Sequence, residues 1–259
     1  MEFAISSLVF LPERLESSIE KIVENNFKYW EVVCEGHHYL TPKNIKTLLR
    51  FRDEYNISYT VHAPFSDLNP ASMNEKVRKL VIECISDAIE GAYELDANIV
   101  VIHPGYIPEL WKDFKDDILD NNFTTILKIV EIAEDYDIIL GLENMPNFRG
   151  VLCQKLEDVL EIIREIDSKH LKMTLDVGHA NTVGDVKDFI NKEIVHIHIH
   201  DNNGVEDEHL PVGEGNINFE EFFKELKKIN YKGILTLENK NIRDAIKSRK
   251  NIMDILKKI

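Results

Sequence analysis

Short apolar runs alternate with longer stretches of helical spacing along the whole chain. The short runs cover residues 2–7, 29–35, 57–63, 98–103, 138–144, 171–177, 194–200 and 233–239, and are rich in Val, Ile, Leu and Thr. Such nearly continuous apolar character predicts strands covered on both faces, as in a parallel sheet. Between them, residues 14–25 place Leu15, Ile19, Ile22 and Val23 on one helical stripe, and residues 75–95 do the same with Val77, Leu80, Val81, Cys84, Ile85, Ala88 and Ala92. Thr41-Pro42 reads as a cap and first turn, and Asn218 as the cap of a helix over 219–229. Regular strand–helix alternation implies parallel strands with right-handed crossovers. Eight such units in 259 residues predict an α/β fold, a single (β/α)8 TIM barrel spanning residues 1–259 as one domain. An open doubly wound sheet usually carries a Gly-rich phosphate loop after its first strand, and Ser6-Ser7-Leu8-Val9-Phe10 is not one.

Composition adjusts this picture only at the surface. Apolar residues make up 44% and charged residues 30%, with a formal net charge of −15. That acidity disfavours nonspecific binding to nucleic acid or anionic membrane. The three cysteines, Cys34, Cys84 and Cys153, form no CxxC and indicate neither a disulfide framework nor a thiolate metal site. Without a basic-then-apolar leader or a membrane-length apolar stretch, the expectation is a cytoplasmic protein that does not engage a membrane.

The chemistry lies where the strands end. The third ends Val61-His62-Ala63-Pro64, the fourth Ile102-His103-Pro104-Gly105, the fifth Leu142-Glu143-Asn144 and the sixth Leu175-Asp176-Val177-Gly178-His179. The seventh carries His196-Ile197-His198-Ile199-His200-Asp201, and the eighth ends Leu237-Glu238-Asn239. In a barrel these ends surround one C-terminal mouth, where active sites form. A single rim His or Glu is usually just hydrogen-bonded, but six strands delivering ionisable groups to one volume would carry a heavy desolvation and repulsion cost. Divalent cations remove it, since imidazole nitrogen and carboxylate oxygen are their natural donors. A metal site at the mouth is therefore expected. Strand alternation spaces His196, His198 and His200 at depths roughly 6–7 Å apart, which leaves His198 or His200 as the donor and His196 as a core histidine. Asp207-Glu208-His209 follows on a loop from the same mouth. Cys34 and Glu35 are explained by burial or by rim polarity and receive no role, while His37 and His38 fit a substrate contact or surface polarity about equally well.

Together these motifs resemble the endonuclease IV and xylose-isomerase-like superfamily of TIM barrels, the second family of AP endonucleases. The resemblance runs from His62 to Glu238, and Gly213-Glu214-Gly215 matches as well. It implies up to three Zn2+ ions, with Mn2+ or another divalent ion as a substitute. His62, His103 and Glu143 would bind the first, and Glu143 would bridge to a second completed by Asp176, His198 and Glu238. His179, Asp207 and His209 would bind the third. The family's His three residues before an Asp selects His198, leaving His200 either to support a ligand from behind or to contact substrate. The function this implies is a metal-dependent phosphoester hydrolase, with Glu143 and Glu238 in the reacting centre and abasic DNA as the family substrate. Neither the loop over 35–40 nor the one over 65–69 reads as DNA-binding, and the latter resembles sugar isomerases of the superfamily. The alternative is a sugar or sugar-phosphate isomerase or epimerase with one ion on Glu143, Asp176, His198 and Glu238. A non-catalytic metal-binding barrel is the third reading.

Overall fold

The computed structural model describes residues 1–259. Its strands are β1 (Glu2–Ser6), β2 (Tyr29–Val33), β3 (Ser58–His62), β4 (Ile99–Ile102), β5 (Ile139–Glu143), β6 (Leu171–Asp176), β7 (Ile194–Ile199) and β8 (Ile234–Leu237). They are parallel and close into a barrel in chain order, with Ala4 of β1 beside both Tyr29 of β2 and Thr236 of β8. The helices are α1 (Leu15–Glu24), α2 (Pro42–Tyr55), α3 (Glu75–Glu94), α4 (Lys115–Asp135), α5 (Leu156–Ile166), α6 (Val177–Val183), α7 (Phe219–Lys228) and α8 (Ile242–Leu256). The chain thus forms the expected (β/α)8 TIM barrel, and no helix is long and apolar enough to cross a membrane.

The apolar stripes explain where the helices sit. Leu15, Ile19 and Ile22 of α1, and Val81, Ile85, Ala88 and Ala92 of α3, are buried on the predicted stripes, whereas Val23, Val77 and Cys84 at the stripe edges are half-buried and Leu80 faces solvent. Thr41 and Asn218 cap their helices, accepting from the backbone N–H groups of Asn44 and Glu221.

At the mouth the strands stop one or two residues sooner than the apolar runs suggest. Pro64 and Pro104 have no N–H for a neighbouring ladder, so β3 and β4 end just before them. His103 consequently stands on the rim, one residue past β4, and Glu238 lies likewise one residue past β8. Residue 177 does not extend β6 but starts α6, because the Asp176 side chain caps that helix at once.

Candidate metal centre

All nine expected donors meet at the C-terminal mouth. His62, Glu143 and Asp176 are the last residues of their strands, His198 is the last but one of β7, and His179 lies in α6. Glu143 is the hub. Its Oε2 is 3.0 Å from His103 Nε2 and 3.4 Å from His62 Nε2, while Oε1 is 3.1 Å from His198 Nδ1. His198 Nδ1 also faces Glu238 Oε1 at 3.7 Å and Asp176 Oδ2 at 3.9 Å. The donor atoms of Asp176, His198 and Glu238 therefore lie within one ion's reach of each other, as do those of His62, Glu143 and His198.

A second group adjoins the first. Asp207 Oδ2 lies 2.9 Å from His209 Nε2 and 3.3 Å from His179 Nε2, and Asp207 Oδ1 lies 3.4 Å from His200 Nε2. His200 is fully buried. Its Nε2 sits 3.2 Å from Asp176 Oδ1, and its ring stacks on that of His209 with centroids 4.0 Å apart. His200 thus joins the two groups from below. The open side of the mouth is formed by His103, Asp207 and His209, whose side chains are 18%, 17% and 22% exposed.

The backbone fixes which nitrogens face inward. Nδ1 of His62 lies 2.8 Å from the Ala63 carbonyl, that of His179 2.8 Å from Asn144 O, and that of His209 2.5 Å from Glu238 O. A carbonyl can only accept, so each Nδ1 donates and each Nε2 is left to act on the mouth.

Charge in this volume is strongly coupled. Burial opposes ionisation of every group here, but the carboxylates of Asp176, Asp207 and Glu143 outweigh it at His179 and push that imidazole up to about 10. Against the same burial, the hydrogen bond to Asp207 pushes His209 up to about 9. The charges of His198 and His103 hold Glu143 well below the usual carboxylate range despite its burial. Glu238 goes the other way, raised by burial and by the neighbouring carboxylates.

The donor set fits a divalent cation on its own evidence. Glu143 Oε2, Asp176 Oδ2, Asp207 Oδ1 and Glu238 Oε1 are buried without a hydrogen-bond partner. Leaving such an acceptor unmet costs about 1–3 kcal/mol, more for a charged group. Four orphaned oxygens beside inward-turned imidazole nitrogens are what a hard or borderline cation satisfies.

The loop bearing Asp207 and His209 is held by a residue that is not itself a donor. Asp201, buried just past β7, accepts from the N–H groups of Gly213 and Gly215 through Oδ2, at 2.8 and 2.9 Å. Its Oδ1 accepts from Asn202 at 2.9 Å and Ile217 at 3.3 Å. A Cβ at Gly215 would lie 2.3 Å from that carboxylate, so the Gly213-Glu214-Gly215 motif exists to wrap Asp201. Glu35 acts similarly, accepting from the N–H groups of Phe65 and Ser66 at 2.8 and 2.9 Å, while Cys34 and His38 are buried and His37 is exposed. The sequence reading missed Glu31, which lies fully buried in β2 against His196 and His198.

A cavity of about 770 Å3 between α4 and α5 contains none of the donors. A smaller one of about 170 Å3 is lined by His103 with Phe65, Tyr106 and Met145, and so opens from the mouth.

A family model described as a xylose isomerase-like TIM barrel matches residues 19–259. The uncharacterized protein MJ1311 of Methanocaldococcus jannaschii is 62% identical, the alignment covering 99% of this chain and 89% of that one. A solved structure described as a D-tagatose 3-epimerase-like protein is 60% identical, with a TM-score of 0.95 over 99% of this chain and 97% of its own. D-psicose 3-epimerase of Enterocloster bolteae is 23% identical over 85% of this chain and 75% of its own. These likenesses overturn the expectation of an endonuclease IV-type phosphoester hydrolase acting on abasic DNA. A probable endonuclease 4 of Mesomycoplasma hyopneumoniae does align, but at 27% identity over 63% of this chain and 62% of its own. The error has a physical source. The expectation leans on a third ion held by His179, Asp207 and His209, yet those donors do not by themselves specify hydrolysis, and a shared scaffold does not choose the reaction.

Proposed function

The chain belongs to the xylose isomerase-like TIM-barrel family, and on that footing we propose that it is a divalent-metal-dependent sugar epimerase. Glu143, Asp176, His198 and Glu238 would hold the ion. The observation that carries this reading is the convergence of one carboxylate oxygen each from Glu143, Asp176 and Glu238 around His198 Nδ1, with Asp176 Oδ2 and Glu238 Oε1 buried and without a hydrogen-bond partner. The likeness to epimerases supports the reaction class.

When bound, a divalent ion supplies Lewis-acid polarisation of a substrate carbonyl and anchors the adjacent hydroxyl. The protein's own groups then do the proton work. Inverting a carbon beside a carbonyl requires a base on one side and an acid on the other. Glu143 and Glu238 come from β5 and from beyond β8, with His198 between them. Glu143, held in its charged form, takes the proton from that carbon. Glu238, on the other side, returns one to the opposite face. The electron pair left on carbon is delocalised into the carbonyl and collected again on reprotonation, so the sugar differs only in configuration. In the reverse direction the two exchange roles. His179 presents Nε2 to the mouth and orients a further hydroxyl.

The test is isotopic. The protein loaded with Mn2+ or Co2+ is incubated in D2O with a panel of ketopentoses and ketohexoses. One deuterium is expected at the inverted carbon, read by NMR. Loaded protein that exchanges no proton of any ketose would sink the reading.

A further inference from the structure

His198 is held unlike His62, His179 and His209. Those fix Nδ1 on a backbone carbonyl and turn Nε2 inward. His198 instead turns Nδ1 toward Glu143, Asp176 and Glu238, and its Nε2 points down the barrel, 3.0 Å from Glu31 Oε1. No carbonyl meets that nitrogen. His198 Nε2 and Glu31 Oε1 are both buried and neither has a hydrogen-bond partner, although they lie at ion-pair distance from one another.

The rest of Glu31 is accounted for. Its Oε2 accepts from Thr60 Oγ1 at 3.2 Å and is 2.7 Å from His196 Nε2, which in turn lies 2.9 Å from Thr236 Oγ1. These partners come from β3, β7 and β8, so the carboxylate is anchored across the barrel interior. Such interiors are ordinarily packed with branched apolar side chains. A fully buried ionic cluster is poor material for stability, since removing it for apolar packing is often neutral or favourable. Its placement under one particular imidazole calls for another explanation.

We propose that Glu31 is the positioning residue of the metal centre, fixing the ring orientation and tautomer of His198 so that bare Nδ1 faces the cation. His196 and Thr60 hold Glu31 in place for that task. Glu31 touches neither ion nor substrate. The inference rests on the four-donor reading given above, and it identifies the part of that site which lies outside the mouth.

Glu31→Gln keeps the shape and removes the charge. The stripped protein is titrated with Co2+ against a competing chelator, and the visible absorption of the bound Co2+ is recorded. Loss of an outer partner of this kind weakens metal affinity about 10–100-fold, and the absorption bands should shift as the His198 donor changes. Glu31→Asp, which keeps the charge but falls short of His198, should behave in the same direction. If neither Glu31 variant folds, His196→Gln carries the test, with a smaller loss expected because the carboxylate remains but is no longer braced. A folded Glu31 variant with wild-type affinity and an unchanged spectrum overturns the inference. Wild-type protein that binds no stoichiometric cation overturns the four-donor reading instead, and is told apart because the wild type itself fails.

Discussion

Asp176 Oδ1 accepts the backbone N–H of His179 at 2.6 Å, so the side chain that starts α6 also stands among the cation donors. The two tasks can be separated by substitution. Asp176→Asn keeps a capping oxygen and should leave thermal stability in chelator close to that of the wild type while weakening cation binding strongly. Asp176→Ala loses both, with a further cost of about 0.5–2 kcal/mol for the missing cap. Equal melting of the two variants in chelator would contradict the capping role.

Glu143 and Glu238 should be separable from the fold in the same way. Replacing either with Gln is expected to lower epimerisation about 10²–10⁴-fold through the lost proton transfer. Circular dichroism should be unchanged. Deuterium exchange that persists when one of them is replaced would show which face that residue serves; unchanged turnover in either variant would remove it from the chemistry.

The two raised histidines give a pH dependence with a definite sign. His179 at about 10 and His209 at about 9 both lie above the ordinary 6.5, so they bind protons more tightly in the folded chain. In chelator their contribution to stability is complete below about pH 6.5 and is lost as the pH rises through 9 and 10. The melting temperature should therefore fall over that interval. Cation affinity should move oppositely, tightening with rising pH, because deprotonating His179 and His209 removes positive charge from beside the four-donor site. Melting curves at fixed ionic strength, with chelator and with Mn2+, check both; flat profiles in both would refute the coupling.

Gly178 leaves room for a neighbour. A Cβ there would lie 1.9 Å from His200 Cε1, inside the ring's own volume. Gly178→Ala should destabilise by about 1–3 kcal/mol through overpacking. Adding His200→Ala should recover part of the loss, and a strictly additive double variant would show that the two positions are not in steric conflict.

Much of the barrel and the donor list was legible because each leaves a mark on neighbouring positions. The strands appear as apolar runs, and His62-Ala63-Pro64 and His103-Pro104 announce a strand end, since proline closes the ladder just past the histidine. Glu31 left no such mark. In Tyr29-Trp30-Glu31-Val32-Val33 one carboxylate resembles an outward-facing residue, and only barrel closure turns it toward β7. The start of α6 at Val177 was hidden for a related reason, because Asp176 reads as a donor and not as a cap. The reaction was least legible of all. Asp207 and His209 look the same in sequence whether a phosphoester or a sugar occupies the mouth, and what distinguishes them is the shape and charge of the surrounding loops.

The Asp201 clamp has a consequence for how this barrel can diversify. Both ends of the excursion that carries Asp207 and His209 close on one carboxylate, through Asn202 at the start and Gly213, Gly215 and Ile217 at the finish. Length can change at the exposed stretch of Asn203, Val205 and Glu206 with little entropic penalty, since closure cost grows only slowly with added residues. The segment is a loop on a fixed latch, in which an insertion at its exposed stretch leaves the sheet beneath it as it is.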